Sequence, residues 1–133
     1  MALSNTYSIT LDQVKAYIDE RTLLQLLSDD CDELEITEDM EDRLDILMCD
    51  SILQVENALR HNWIIPFSSL DCSLRGIMIR LAIVFLYRRR GAAPAWIVQN
   101  EKDELLKLER IIKGELEITG ATRSRPNLTN TRR

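Results

Sequence analysis

The sequence predicts an all-α protein: a small bundle of four main helices, one of them central and apolar, followed by an extended basic tail. Of its 133 residues, 45% are hydrophobic and 29% are charged, which is ordinary for a globular domain. Glycine and proline are scarce, with 4 and 3 copies, and apolar residues recur mostly at helical spacing. This length suits one domain, so we assign a helical body to residues 1–120 and an arginine-rich arm to residues 121–133.

The first helix begins with a capping-box pattern, in which Thr10 is followed three residues later by Gln13. An apolar face then extends the helix to about residue 28. Because the apolar spacing slips between Ile18 and Leu23, the pattern also allows a break near residue 20 into two short helices.

The second helix follows a strongly acidic stretch at residues 29–42. We expect a polar loop there, leading into a long amphipathic helix that ends near Asn62. Thr37 is the candidate N-cap, since its side chain can accept a hydrogen bond from the first turn. Acidic residues in that turn complement the helix dipole.

The third helix, over residues 71–90, is apolar on nearly every side, which predicts a position at the centre of the bundle. A hydrophobic loop interrupts the chain before it, because proline disfavours the α conformation in the residue that precedes it. The residues that characterise this loop are Trp63, Pro66 and Phe67. The candidate N-caps of the helix are Ser68, Ser69 and Asp71.

The last helix starts at Pro94, which fits the first helical turn, and ends at Gly114. Gly91 is the expected C-cap of the helix before it. Residues 115–119 alternate in a strand-like way and predict a very short strand. From Gly120 onward, few residues are hydrophobic, which predicts an extended tail.

Residue types that carry out catalysis or bind metals are few. His61 is the single histidine, and Cys31, Cys49 and Cys72 form no C-x-x-C pair. The acidic stretch lacks the alternating ligands and central glycine of a calcium-binding loop. The isolated glycines form no phosphate-binding loop. We therefore expect no catalytic residue, no cofactor and no bound metal, and an enzymatic function has the weakest support.

Membrane insertion and export are not expected either. The N-terminus has neither the basic region nor the apolar region of a secretory signal. The longest apolar stretch, residues 76–87, is interrupted by Arg80 and is shorter than the roughly 20 residues needed to span a bilayer. We expect a soluble protein whose cysteines stay reduced in a cytosolic compartment.

Charge is divided unevenly between the body and the arm. The body contains 13 basic and 22 acidic residues, a net charge of −9, whereas the arm contains four arginines and no acid. Separate acidic and basic patches suit pairing between residues of opposite charge across a subunit boundary.

Candidate contact residues follow from this division of charge. For contacts between subunits they are Asp29, Asp30, Asp32, Glu33, Glu35, Arg75, Arg80, Arg88, Arg89 and Arg90. For a partner of the arm they are Arg123, Arg125, Arg132 and Arg133. Simpler roles stay open: exposed or snorkelling side chains at positions 75 and 80, and complementation of the helix dipole at positions 88–90.

Several segments carry a resemblance to a known family. They are YSITL at 7–11, LLQLLSD at 23–29, WIIPF at 63–67, IVFLYRRRG at 83–91 and LERIIKGEL at 108–116. Together they resemble the Mu-like prophage head–tail connector family, small proteins encoded among phage morphogenesis genes. The sequence departs from the family pattern at residues 70–73 and in the arginine-rich tail after Gly120, so the resemblance leaves the role of the tail open.

The resemblance implies a structural virion protein of the phage neck, assembled in the host cytoplasm. Such adaptors form a ring, typically of twelve subunits, below the portal; they extend the DNA channel and join the capsid to the tail. A C-terminal segment often docks onto the portal. The implied partners are other copies of the chain, the portal protein and a downstream tail or neck protein, and DNA passes through without sequence-specific binding.

The charge of the chain bears on this role and on one alternative. An acidic channel lining repels phosphate groups and keeps a passing duplex from sticking. The alternative function is that of a small DNA-binding packaging or regulatory protein that uses the basic arm. The arm contains no aromatic residue that could stack on bases.

Overall fold

The computed structural model describes residues 5–28, 34–91 and 94–119, and within these ranges it contains five helices and no strand. The helices are α1 (Leu11–Lys15), α2 (Glu20–Leu27), α3 (Glu38–Leu59), α4 (Cys72–Arg89) and α5 (Ala95–Ile112). The prediction of an all-α fold is confirmed. The first predicted helix is two helices, because the slip in apolar spacing corresponds to a break between α1 and α2.

Both short helices have side-chain N-caps. The Oγ1 of Thr10 accepts a hydrogen bond from the Gln13 backbone N–H at 3.2 Å, and the Thr10 N–H donates to Gln13 Oε1 at 2.9 Å. This is the predicted capping box. Asp19 then caps α2 by accepting a hydrogen bond from the Thr22 N–H at 3.3 Å.

The longer helices begin and end largely as predicted. Thr37 caps α3 by accepting a hydrogen bond from the Met40 N–H at 3.3 Å, and Asp71 caps α4. Gly91 and Gly114 follow α4 and α5 with φ angles of 71° and 82°, a left-handed conformation that glycine adopts without strain. Pro94 is the N-cap residue of α5 and lies just before its first turn, not within it.

Helix α4 lies at the centre of the fold, as its sequence predicts, and packs against α2, α3 and α5. Ten of its 18 residues are buried. Gly76 lets the side chains of Tyr17 and Arg80 lie close to the α4 backbone. A Cβ atom at this position would be 3.1 Å from Arg80 Nη1 and 3.3 Å from the Tyr17 hydroxyl. The ten buried residues of α4 are Leu74, Gly76, Ile77, Met78, Ile79, Leu81, Ala82, Ile83, Val84 and Leu86.

The strand predicted at residues 115–119 is wrong. The backbone N–H groups of Glu115 and Leu116 donate to the Arg110 carbonyl at 2.9 and 3.3 Å, so they close the C-terminal turn of α5. No second strand is present in the described ranges to pair with this segment. An alternating pattern of a few residues therefore has a helix-capping role here.

The hydrophobic loop belongs mainly to the core. Trp63 is 3% exposed and Phe67 is 5% exposed, whereas Pro66, after a cis peptide bond, lies at the surface. Tyr7 packs on Phe67 with 6.0 Å between ring centroids. Its hydroxyl donates to Glu56 Oε2 at 2.5 Å and accepts from the Phe67 N–H at 3.1 Å. Tyr7 thus joins the N-terminal segment, α3 and the loop.

Burial, and after it the hydrogen bond to Glu56, together raise the pKa of Tyr7 to about 12, although the hydrogen bond from the Phe67 N–H acts in the opposite direction. A group with a raised pKa in the folded state stabilises the fold below its unfolded pKa of about 10. That contribution is lost as the pH rises through about 12.

We expect Tyr7→Phe to lower the free energy of unfolding by about 1–3 kcal/mol, because the buried Glu56 carboxylate and the Phe67 N–H both lose a partner. Urea denaturation at pH 7 measures this change. Tyr17→Phe is the matched control, since Tyr17 is 40% exposed and its ring is retained. Equal effects of the two substitutions would contradict the role given to Tyr7.

Candidate assembly surfaces

Three arginines from two helices hold the C-terminal end of α2. Arg43 of α3 donates to the Leu27 carbonyl at 2.9 Å. Arg89 and Arg90 at the end of α4 donate to the Leu26 and Ser28 carbonyls at 3.1 and 2.9 Å. Helix α2 has no basic residue in its own last turn, so these side chains satisfy its terminal carbonyls. We call this set the arginine brace (Arg43, Arg89 and Arg90).

Two further arginines of α4 pair with acids of α5. Arg88 makes a two-pronged contact with Glu101, with Nη1 at 2.7 Å from Oε2 and Nη2 close to Oε1. Arg80 lies 3.5 Å from Glu104, which also accepts a hydrogen bond from Lys107 at 3.0 Å. Glu104 is only 3% exposed, so these cations compensate a buried carboxylate.

The predicted contact residues therefore have mixed placements. Arg80, Arg88, Arg89 and Arg90 each have a partner within the chain, and a subunit contact at these positions stays a prediction. Half-buried Arg75 approaches Cys72 Sγ at 3.8 Å, and Glu35 is exposed. The remaining predicted residues lie outside the described ranges: Asp29, Asp30, Asp32, Glu33, Arg123, Arg125, Arg132 and Arg133.

The exposed side of α3 carries acids around apolar side chains, a surface that the sequence-based prediction missed. Asp39, Asp42 and Asp50 are exposed, and Ile46 and Leu53 between and beside them are 63% and 52% exposed. These five positions follow one another at steps of three or four residues, which places them on one side of a helix. We call them the α3 outer face; their helical spacing was the signal available in the sequence.

The exposed side of α5 carries more cations than acids, and its exposed acids, Asp103 and Glu109, each lie three residues from Leu106. Lys102, Arg110 and Lys113 are exposed around Leu106, which is 46% exposed. Their steps of four, four and three residues again define one side of a helix. Lys113 lies 3.6 Å from Glu109, an exposed pair that binds weakly. We call Lys102, Leu106, Arg110 and Lys113 the α5 outer face.

Asp71, the N-cap of α4, also binds Thr119, the last residue that the structure describes. One carboxylate oxygen accepts hydrogen bonds from the backbone N–H and the hydroxyl of Thr119, both at 2.8 Å. The other accepts from the Ser73 N–H at 2.7 Å. Burial by itself would raise the pKa of Asp71, but these hydrogen bonds outweigh it and hold the pKa below its usual range. Residue 119 is thereby held at the start of α4.

The described ranges contain no group of three or more His, Cys, Asp or Glu side chains arranged to hold a metal ion. A shallow groove of about 260 Å³ lies between α2 and residues 34–36, and it is lined by Glu20, Arg21, Leu24, Leu34, Glu35 and Ile36. Its lining contains no serine, threonine, cysteine or histidine. None of the helices seen in these ranges is both long and apolar enough to cross a bilayer.

Substitution of Arg80 by Met is expected to cost about 1–3 kcal/mol of stability, because buried Glu104 keeps only Lys107 as its cationic partner. Arg88→Met is the matched control on the same helix and should cost less than about 1 kcal/mol, since its ion pair is more exposed. Thermal unfolding of both variants gives the comparison. A larger loss of stability for Arg88→Met than for Arg80→Met would contradict the importance given to the buried Glu104 carboxylate.

Comparison with known proteins adds the family. No curated protein and no solved structure gives a significant match. A family model described as Bacteriophage Mu, Gp36 matches residues 8–132, nearly the whole chain, in agreement with the Mu-like resemblance of its sequence. The chain therefore belongs to the bacteriophage Mu Gp36 family.

Proposed function

We propose that this protein is a structural virion protein, a head–tail connector that forms a ring below the portal. The ring extends the DNA channel and joins the capsid to a downstream tail or neck protein. The family match over residues 8–132 carries the proposal, since it assigns the chain to a phage family. The role is one of binding and not of catalysis.

The charges on the described surface support a ring. A closed ring uses heterologous contacts, in which one surface of a subunit meets a different surface of the next. The α3 outer face is acidic and the α5 outer face is basic, so a single chain presents two surfaces of opposite sign. We expect twelve subunits, the number typical of the adaptor proteins that this sequence resembles.

The overall charge of the body supports a channel for DNA. Residues 1–120 carry a net charge of −9, and like charge repels the phosphate backbone. A passing duplex then meets few attractive contacts, which favours packaging and ejection over retention. The chain would contact DNA without reading its sequence.

The arm is the proposed portal contact. It carries Arg123, Arg125, Arg132 and Arg133 and no acid. The hydrogen bonds between Asp71 and Thr119 hold Thr119, two residues before the arm, at the start of α4. Thr119 has the same position in each subunit, so a ring of subunits would carry its cationic arms at equivalent positions.

Removal of residues 121–133 is expected to abolish binding to the purified portal ring while leaving the helical body folded. Co-sedimentation with the portal measures binding, and circular dichroism measures folding. A full-length variant with Arg123, Arg125, Arg132 and Arg133 all replaced by Gln is the matched control for arm length. Unchanged portal binding by the truncated protein would show that the arm is not the portal contact.

The alternative is a small DNA-binding packaging or regulatory protein, and the +4 charge of the arm is the observation that favours it. That function requires duplex affinity that falls steeply with salt. Fluorescence anisotropy with labelled duplex compares the full chain with the protein truncated after residue 120. The connector proposal expects weak binding that does not depend on DNA sequence, whereas tight, sequence-dependent binding would favour the alternative.

A further inference from the structure

We propose that neighbouring subunits meet through the α3 outer face of one copy and the α5 outer face of the next. This inference rests on the proposed ring and names the contact that builds it. The occupant of each surface is a second copy of this chain, and the contact is directional.

The α3 outer face has the properties of an interface centre with a charged rim. Ile46 and Leu53, at 63% and 52% exposure, are among the large apolar side chains that the fold leaves accessible. Exposed apolar side chains bordered by polar ones are typical of binding surfaces. No salt bridge joins Asp39, Asp42 or Asp50 to another residue in the described part of the chain, so their charges are available to a partner.

The α5 outer face matches it in chemistry and in spacing. Leu106 is the apolar centre, and Lys102 and Arg110 lie four residues to either side of it. Neither cation has a side-chain partner among the described residues. On α3, Asp42 and Asp50 likewise lie four residues to either side of Ile46. Two helices with the same acid–apolar–acid and base–apolar–base spacing can pack with each acid beside a base.

Charge also determines which face of the neighbouring copy each outer face contacts. A two-fold contact of α3 with α3 would place Asp42 and Asp50 against the same acids of the second copy, which repel. A two-fold contact of α5 with α5 would place Lys102 and Arg110 against like cations. The remaining arrangement, α3 against α5, is heterologous and propagates from copy to copy, as a ring requires.

Charge reversal tests the contact. One variant carries Asp42→Lys and Asp50→Lys, and the other carries Lys102→Glu and Arg110→Glu. Each alone should lower the number of subunits assembled on the portal by about tenfold or more, because like charges then meet at every contact. Mixed in equal amounts, the two variants should assemble again as an alternating ring, since each reversed face finds a complementary face on the other variant.

A control variant separates this effect from a change in net charge. Asp12→Lys with Glu117→Lys changes the net charge as much as the α3 reversal does and lies outside both outer faces, and both residues are exposed. It should assemble like the natural chain. Circular dichroism of every variant checks that the fold is retained.

Cysteine labelling gives a second measurement on the unaltered chain. Cys49 is exposed on α3 three residues from Ile46, whereas exposed Cys72 is the first residue of α4. Assembly should protect Cys49 from alkylation and leave Cys72 reactive, as read for each site by peptide mass spectrometry. Loss of reactivity at neither cysteine, or at Cys72 alone, would contradict the contact.

The outcomes distinguish the contact from the function. If the natural chain forms a ring on the portal and both reversed variants do so equally well, the proposed contact is wrong and the connector function stands. If the natural chain neither associates with itself nor binds the portal, the connector function is wrong and the contact falls with it. Failure of each variant alone with recovery in the mixture supports both.

Discussion

A helix that is apolar on nearly every side must be covered on nearly every side, and the packing of the other helices around α4 meets this requirement. Ten of its residues are buried, and α2, α3 and α5 surround it. At about 25 cal/mol for each Å² of apolar surface removed from water, covering such a helix contributes substantially to the stability of the fold. The positions of the other helices follow from that requirement.

The charges on the ends and edges of α4 are used to hold those covering helices. Arg80 and Arg88 pair with α5, and Arg89 and Arg90 join Arg43 in the arginine brace at the end of α2. These basic residues thus hold α2 and α5 against α4. The exposed charges include those of the α3 and α5 outer faces, and these are the charges that our assembly proposal uses.

Much of the fold is predictable from local sequence because helix starts, helix ends and apolar periodicity are local properties. The Thr10–Gln13 capping box, the Thr37 cap and the left-handed glycines at 91 and 114 are examples, as is the central position of α4. The strand expected at residues 115–119 failed because a strand depends on a distant partner, whereas two N–H groups of that segment are used by α5.

The partners of charged residues were harder to predict, since they lie far apart in sequence. The hydrogen bond between Arg89 and Leu26 joins residues 63 positions apart, and nothing in the local pattern at 88–90 indicates it. The two outer faces were missed as separate surfaces for another reason: a prediction based on dense charge placed the acidic patch at residues 29–50 and the basic patch at 75–90, without separating the exposed side of α3 and without the cations of α5. Spacing on a folded helix, and not local density, defines a surface.

A cryo-electron microscopy reconstruction of the portal with this protein bound would show directly whether the copies form a ring and which helices meet between them. We predict a closed ring of copies around the DNA channel, with the α3 outer face of each copy against the α5 outer face of the next. Isolated copies bound away from the channel, or a portal that binds no copy at all, would contradict it.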